Sequence, residues 1–190
     1  ISFMAINLEK GQSIRVERSL TQVAVGLGWD PNDGTGYDFD LDASAFMLGN
    51  NGHLLSDEYL VFYNNQKSPD GSVESSGDDL TGGNSKDGDD ETLSVDLVKV
   101  NPLVQEIVFT ATIYKATERK QNFGQVRNAY IRLYNIVTGE EIARFDLEED
   151  FSIETAVEFA RLYRHQGEWK FKALGQGNKN GLEGLVAKYQ

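Results

Sequence analysis

Three aspartates alternate with apolar residues where a predicted strand begins. Asp38, Asp40 and Asp42 lie in the run YDFDLDASAFML. If this run is extended, the three side chains project from one face, about 7 Å apart between neighbours. Like charges so placed raise one another's pKa and destabilise the fold. A hard divalent cation removes that cost, so the spacing predicts a metal site built from carboxylates.

Calcium suits the ligand types that the neighbouring sequence offers. Ca²⁺ takes about six to eight oxygen ligands from carboxylates, amides, backbone carbonyls and water. Asn64 and Asn65 directly follow the predicted strand EYLVFY, and glycine-rich runs allow backbone carbonyls to turn inward. The chain has no cysteine and two histidines, which disfavours zinc and copper. The residues after Asp38 lack the Gly and Glu of an EF-hand loop.

The negative charge of the chain is confined to two short segments. Residues 30–42 contain five acidic residues and no basic one, and residues 70–91 contain eight acidic residues with Lys86. These segments account for the whole formal net charge of −12. Acidic loops are usually solvated, but two of them that hold all the excess charge favour a cation site. No nucleic-acid partner is expected, because phosphate neutralisation needs clustered Lys and Arg.

Apolar and polar residues alternate along most of the chain, which predicts about ten strands. Strands at short spacing, without long helices between them, favour an antiparallel β-sandwich or barrel. Thr138-Gly139 is predicted to turn one hairpin. The predicted strands cover residues 13–17, 21–29, 41–48, 58–63, 92–97, 106–114, 129–137 and 141–147.

A second hairpin is predicted over residues 157–174, turning between His165 and Glu168. Its first strand places Val157, Phe159, Arg161 and Tyr163 on one face, and a helix over residues 154–164 is the alternative. Short helices are predicted at residues 98–105, 118–121 and 181–189. The basic segment ERKQNFGQVR is interpreted as a solvated loop. Gly26 and Gly28 are expected to permit a bulge or a close backbone approach.

One domain is expected over residues 4–190, with residues 1–3 as a leftover of cloning ahead of Met4. The start of the sequence has no basic and apolar export signal, and no window approaches the roughly 20 apolar residues of a membrane span. With no cysteine for disulfides, these features predict a cytoplasmic protein without a transmembrane segment.

Long ordered motifs in this sequence resemble the TerD family of bacterial tellurium-resistance and stress proteins. The motifs are VGLGWD, YDFDLDASAFML, FYNN, SPDGSV, GDDLTGG, GDDE, NFGQVRNAYIRLYN and LYRHQGEWKFKALGQG, and they extend over nearly the full chain. The resemblance implies a β-sandwich with a few short helices and long acidic loops that bind about two Ca²⁺ ions. It also implies a cytoplasmic role in resistance to tellurite and other stresses, with other stress-resistance proteins as partners.

The resemblance also implies a set of calcium ligands in the loops 30–42 and 64–91. Asp38, Asp40, Asp78 and Asp89 are the first choices within that set. Asp30, Asp33, Asp70 and Glu74 are weaker candidates, and Asp57 and Glu58 are interpreted as surface residues. The full set is Asp38, Asp40, Asp42, Asn64, Asn65, Asp78, Asp79, Asp89, Asp90 and Glu91.

Three functions remain open for such a protein. The first is a non-enzymatic calcium-binding module whose loops become ordered when the ion binds. The second is a Ca²⁺-dependent adaptor, C2-like or lectin-like, in which a lipid, glycan or protein partner completes the coordination shell. The third is a phosphoryl-transfer enzyme with Asp38 as nucleophile, but the residues before Asp38 are a turn, DGTGY, and not an apolar strand. The sequence therefore favours a protein that is not an enzyme.

Overall fold

The computed structural model describes residues 5–32, 34, 36–76, 89–147 and 151–190, which form twelve β-strands and two α-helices. A 3₁₀ turn covers Asp57–Tyr59. The helices are α1 (Ala116–Arg119) and α2 (Gly181–Tyr189). The strands are β1 (Ile6–Asn7), β2 (Ser13–Val16), β3 (Gln22–Gly28), β4 (Leu41–Leu48), β5 (Leu60–Val61), β6 (Val73–Ser75), β7 (Glu91–Asp96), β8 (Glu106–Ile113), β9 (Tyr130–Asn135), β10 (Glu141–Asp146), β11 (Ala156–His165) and β12 (Glu168–Asn178).

The strands form two six-stranded sheets that pack face to face. Sheet A has the order β1-β10-β9-β3-β7-β6, and sheet B has the order β2-β12-β11-β8-β4-β5. Every neighbouring pair is antiparallel except β1 and β10, which are parallel. The predicted all-β sandwich is confirmed, as are both predicted hairpins.

The core lies between the sheets because successive side chains of a strand point to opposite faces. In sheet A, Val25 and Leu133 are fully buried in this core, and in sheet B Phe109 is. The outer face of sheet B carries a second apolar cluster, in which Phe46 and Val108 pack against Leu185 of α2. Sheet B is therefore covered on both faces.

A bulge in β11 changes the alternation that the sequence predicts for that strand. The register of β11 against both neighbours shifts between Glu158 and Ala160. Phe159, Ala160 and Leu162 consequently all pack in the core between the sheets. The prediction that Phe159 and Arg161 share one face is therefore wrong. The extra residue of a bulge reverses the face of every side chain that follows it.

Two predicted elements differ from the structure. Residues 98–105 form turns instead of a helix. The guanidinium of Arg164 donates to Val104 O (2.8 Å) and Val100 O (3.3 Å). A residue distant in sequence therefore binds carbonyl groups that would otherwise accept the hydrogen bonds of a helix. The predicted strand 58–63 shortens to β5. The helix predicted at 181–189 is confirmed as α2, and the one near 118–121 overlaps α1.

Five of the buried acidic residues, Asp40, Asp42, Asp89, Asp90 and Glu91, lie at one end of the sandwich. β3 ends at that end, β7 begins there with Glu91 paired to Leu27, and β4 begins there at Leu41. We call residues 29–42, 89–91 and 114–129 the acidic pole, and the end with His53 and His165 the opposite pole. Within the described ranges, no helix combines the length and apolarity needed to cross a membrane.

Candidate cation site at the acidic pole

The structure buries most of the predicted ligands that it describes. Asp40, Asp42, Asp89, Asp90 and Glu91 are all buried, whereas Asp38 and Asn64 are exposed. Asp78 and Asp79 lie outside the described residues, as does the weaker candidate Asp33. Most of these predicted ligands are thus buried, but their side chains face in three directions: between the sheets, to the outer face of sheet A and to the outer face of sheet B.

Glu91 points between the two sheets. It shares the inner face of β7 with Leu93 and Val95, which belong to the core. Its Oε2 accepts a short hydrogen bond from the backbone N–H of Ala43, on β4 of sheet B. Glu91 therefore links the ends of the two sheets at the acidic pole and lies beside the backbone of Asp42.

Asp90 holds the end of β3 in place. Its Oδ2 accepts a hydrogen bond from Trp29 N–H (2.9 Å), and its own N–H donates to Leu27 O (2.8 Å). Trp29 is itself buried. The carboxylate thereby fixes the point at which the chain leaves sheet A and enters the acidic loop.

Asp89 lies on the outer face of sheet A, directly over Gly26. Arg132 donates to it from Nε (2.9 Å) and from an Nη atom (2.6 Å), and Tyr130 OH donates to Oδ1 (2.9 Å). The hydrogen bond to Asp89 raises the pKa of Arg132, and burial followed by the Asp89 charge raises the pKa of Tyr130. These contacts favour a structural role for Asp89.

Gly26 and Gly28 make room for the Asp89 cluster, as the expectation of close approach requires. A Cβ on Gly26 would lie 2.3 Å from a carboxylate oxygen of Asp89, and one on Gly28 would lie 2.4 Å from the ring of Tyr130. The sequence indicates the close approach but not its partners, because Arg132 and Asp89 are 43 positions apart. No pattern among neighbouring residues in the sequence links Arg132 to Asp89.

Asp42 faces the outer side of sheet B. Its neighbours Leu41 and Ala43 pack in the core, so Asp42 points the other way. It lines a cavity of about 480 Å³ with Thr112, Tyr114 and the first residues of α2. Asp42 and Asp89 are therefore on opposite outer faces of the sandwich, about 10 Å or more apart. If both bind calcium, they bind different ions.

The asparagine pair divides into one structural residue and one exposed residue. Asn65 donates from Nδ2 to Glu58 O (2.9 Å) and Leu60 O (2.8 Å), which closes the turn after β5. Asn64 is exposed at the same turn. The amide oxygen of Asn64 and the backbone carbonyls of this turn have the chemistry of calcium ligands.

Two of the weaker candidate acids have structural partners. Asp70 accepts hydrogen bonds from Ser68, Ser72 and the N–H of Asn101. Asp30 Oδ2 accepts one from Asn128 Nδ2 (2.6 Å). Glu74 is exposed on β6, and Asp57 and Glu58 are surface residues as interpreted.

The basic segment is packed against the acidic loop, so its interpretation as a merely solvated loop is wrong. Gln121 Nε2 donates to Tyr37 O (2.7 Å), and Tyr114 N–H donates to Asp40 O (2.8 Å). The guanidinium of Arg119 lies 4.9 Å from the ring centre of Tyr37. Phe123, inside the segment, is buried in the core. The segment after β8 therefore holds residues 37–40 in position.

The donor set at this pole has the chemistry of a calcium site. Carboxylate, amide and carbonyl oxygens are the ligands that hard divalent cations prefer. Within residues 5–32, 34, 36–76, 89–147 and 151–190, no three carboxylate or histidine side chains come close enough together to hold a metal. A calcium ion bound to one of these carboxylates would therefore also need backbone oxygens or water to complete its shell.

These features define a class of protein, namely a β-sandwich with carboxylates buried at one end. The family model described as the TerD domain matches residues 4–189, so the chain belongs to the TerD family. The chain is 49% identical over 189 residues to tellurium resistance protein TerD of Serratia marcescens, covering 98% of this chain and 97% of that protein. It is 48% identical over 191 residues to general stress protein 16U of Bacillus subtilis, with 98% and 97% covered.

A solved structure has the same fold. A homologue of telluride resistance protein (TerD) from Streptomyces coelicolor A3(2) superposes with a TM-score of 0.66 and 21% sequence identity. The match covers 88% of this chain and 95% of that one. The sandwich architecture is thus shared between chains whose sequences have diverged widely.

Proposed function

We propose that this chain is a non-enzymatic, cytoplasmic calcium-binding protein of the TerD type that acts in the response to tellurite and other stresses. It binds about two Ca²⁺ ions, the number that the family resemblance implies, through the loops 30–42 and 64–91. The stress role is inferred from relatives named for tellurium resistance and general stress.

The observation that carries the calcium proposal is the burial of like charges at one pole. Asp40, Asp42, Asp90 and Glu91 are 9%, 5%, 8% and 3% exposed. Moving ionised carboxylates out of water costs several kcal/mol each unless opposite charge or hydrogen bonds offset it. A divalent cation would supply two positive charges at the end of the molecule where the fold buries these carboxylates.

The positions of the histidines agree with a role that is not catalytic. His53 and His165 are both exposed at the opposite pole, one in the turn after β4 and one at the end of β11. They lie far from the buried carboxylates of the acidic pole.

A thermal unfolding titration tests the calcium proposal. The protein, stripped of metal with a chelator, is melted with added Ca²⁺, with added Mg²⁺ and with neither. Calcium at a hundredfold excess over its Kd stabilises a one-site protein by about 2.7 kcal/mol, which raises Tm. Asp42→Asn should lose most of that rise, and the matched surface variant Asp57→Asn should keep it. An unchanged Tm across all three conditions would refute the proposal.

A Ca²⁺-dependent adaptor is the second candidate, favoured by exposed aromatic side chains beside the same carboxylates. Tyr37 is 62% exposed, and Tyr63 and Tyr114 are also exposed. Tyrosine is enriched at the centres of protein interfaces. Co-sedimentation with anionic liposomes, a glycan screen and affinity capture, each with calcium and with chelator, distinguish the adaptor from a protein that only binds the ion.

A further inference from the structure

Gln121, in the basic segment that follows β8, carries a buried oxygen atom whose role the contacts described so far leave open. The residue is 6% exposed, and within the part of the chain that the structure describes no hydrogen-bond donor reaches its Oε1. We propose that this oxygen is a ligand of a calcium ion bound beside residues 38–40. The inference rests on the proposed calcium-binding function and adds to it a ligand that lies outside the loops 30–42 and 64–91.

The fold itself turns the Gln121 side chain toward the acidic loop. α1 ends at Arg119, and Lys120 follows it in the left-handed region, with φ at +55°. Gln121 N–H then donates to Ala116 O (2.8 Å), which closes the turn. This turn leaves Lys120 exposed and buries Gln121. Backbone contacts within the basic segment therefore fix where the side chain of Gln121 lies.

Hydrogen bonds also fix which end of the Gln121 amide is oxygen. Nε2 donates to Tyr37 O (2.7 Å) and to Asp38 O (3.3 Å). Tyr37 O accepts a further hydrogen bond from Asn32 Nδ2 (2.8 Å). The opposite orientation of the amide would place Oε1 against two carbonyl oxygens, which only accept hydrogen bonds. Oε1 is therefore the end that is left without a donor.

A cation satisfies this oxygen better than the neighbouring protein groups can. A buried amide oxygen without a hydrogen bond costs free energy unless another positive group faces it. The segment beside it offers mainly acceptors, namely backbone carbonyls and the carboxylates of Asp38 and Asp40. Amide, carbonyl and carboxylate oxygens all bind Ca²⁺, at about 2.3–2.6 Å. Because Oε1 belongs to the same planar amide as Nε2, an ion bound to it would lie close to Asp38.

A neutral ligand is also what the arrangement of carboxylates requires. Among the described residues, no three carboxylate or histidine side chains lie close enough together to hold a metal. Neutral oxygen atoms must therefore supply much of any calcium shell at this pole. Gln121 supplies one such oxygen without burying a further negative charge beside Asp40, which is itself buried.

Nuclear magnetic resonance of the original protein tests the contact without a substitution. The isotope-labelled protein is stripped of metal with a chelator and then titrated with Ca²⁺. Coordination of Oε1 polarises the amide, so the Cδ and Nε2 signals of Gln121 should shift on binding. Those of Gln125, an exposed residue of the same segment, should move much less. Gadolinium in place of calcium should broaden the Gln121 side-chain signals and spare those of Gln105 at the opposite pole.

Two substitutions separate a ligand from a residue that only positions the loop. Gln121→Met removes both polar groups and should raise the calcium Kd about tenfold or more, measured by isothermal titration calorimetry. Gln121→Glu loses the Nε2 donor but keeps an oxygen ligand, so it should bind calcium more tightly than Gln121→Met. If Gln121 acted only through its Nε2 hydrogen bonds, the two variants would be equally weak. Gln125→Met is the matched control and should keep the original Kd.

The outcomes distinguish this inference from the calcium proposal on which it rests. A protein that binds calcium while the Gln121 side-chain signals stay unchanged would overturn the inference alone and would leave Oε1 to a buried water molecule. Equal calcium affinities of Gln121→Met and the original protein would overturn it as well. A protein that binds no calcium would refute both proposals. Circular dichroism of each variant checks that the sandwich has folded.

Discussion

At the scale of single residues, Gly26 is a position where the fold tolerates little change. Alanine there would place a Cβ 2.3 Å from the Asp89 carboxylate, which Arg132 and Tyr130 hold in place. We expect Gly26→Ala to lower the free energy of unfolding by about 1–3 kcal/mol through overpacking. Denaturant unfolding measures this. Gly34→Ala is the control and should change stability by much less, because among the described residues the new Cβ would meet only the Asn32 side chain.

Asp70 illustrates how the hydrogen bonds of a single acid can join two loops. Burial alone raises the pKa of Asp70, but hydrogen bonds from Ser68, Asn101 and Ser72 outweigh that effect and lower it overall. A pKa lowered by folding stabilises the protein above the unfolded value of about 3.9, and the stabilisation is lost as the pH falls through the folded value.

The sign of this effect gives a pH-dependent prediction for Asp70→Ala. The variant should be less stable than the original protein by about 1–2 kcal/mol at neutral pH, because the donors around Asp70 lose their acceptor. The difference should shrink below about pH 4, where the original protein also loses the charged carboxylate. Urea unfolding at several pH values measures it. A difference that grows as the pH falls would contradict the assignment.

At the scale of elements, the outer face of sheet B, on which α2 packs, combines favourable and unfavourable polar groups. Glu158 accepts hydrogen bonds from Lys188 Nζ (3.0 Å) and from Tyr189 OH, and burial followed by Glu158 raises the pKa of Tyr189. On the same outer face, the buried hydroxyls of Ser44 and Thr110 have no hydrogen-bond partner among the described residues. Hydrogen bonds to Glu158 thus hold the C-terminal end of α2, whereas two hydroxyls on the same face of sheet B are left without a partner among the described residues.

These contacts predict opposite effects for two conservative substitutions. Tyr189→Phe leaves Glu158 with one donor fewer in a buried site and should destabilise the protein by about 1–2 kcal/mol. Ser44→Ala removes an unpartnered buried hydroxyl and should leave stability unchanged or raise it. Thermal unfolding of both variants measures the pair. A loss of stability in Ser44→Ala would indicate a bridging water at that hydroxyl.

At the scale of the whole molecule, the sandwich has two unlike ends. The acidic pole gathers buried carboxylates from both sheets, and the opposite pole carries balanced charges such as Arg18 and Glu168. Chelating calcium should therefore loosen one end of the molecule and not the other. Hydrogen exchange in chelator should increase in residues 29–42 and 114–129, while β11 near His165 stays protected. A uniform increase over both poles would instead indicate global destabilisation.

Much of the architecture can be predicted from local pattern. Alternating residues predict the strands because a half-buried strand requires that period, and Thr138-Gly139 marks a turn that links β9 to β10. The β11 bulge is not predictable in this way, because it depends on the register against β8 and β12. The predicted helix at 98–105 fails for a related reason: Arg164 and Asp70, distant in sequence, bind its backbone.

The sequence by itself determined that the chain forms a β-sandwich and that its excess negative charge belongs to two short segments. Both follow from properties that neighbouring residues carry together, the period of hydrophobicity and the local density of charge. Only the tertiary structure decided where each carboxylate points: Asp89 to Arg132, Glu91 between the sheets and Asp42 to the outer face of sheet B. Those directions depend on strand order and register, which join residues far apart in the chain.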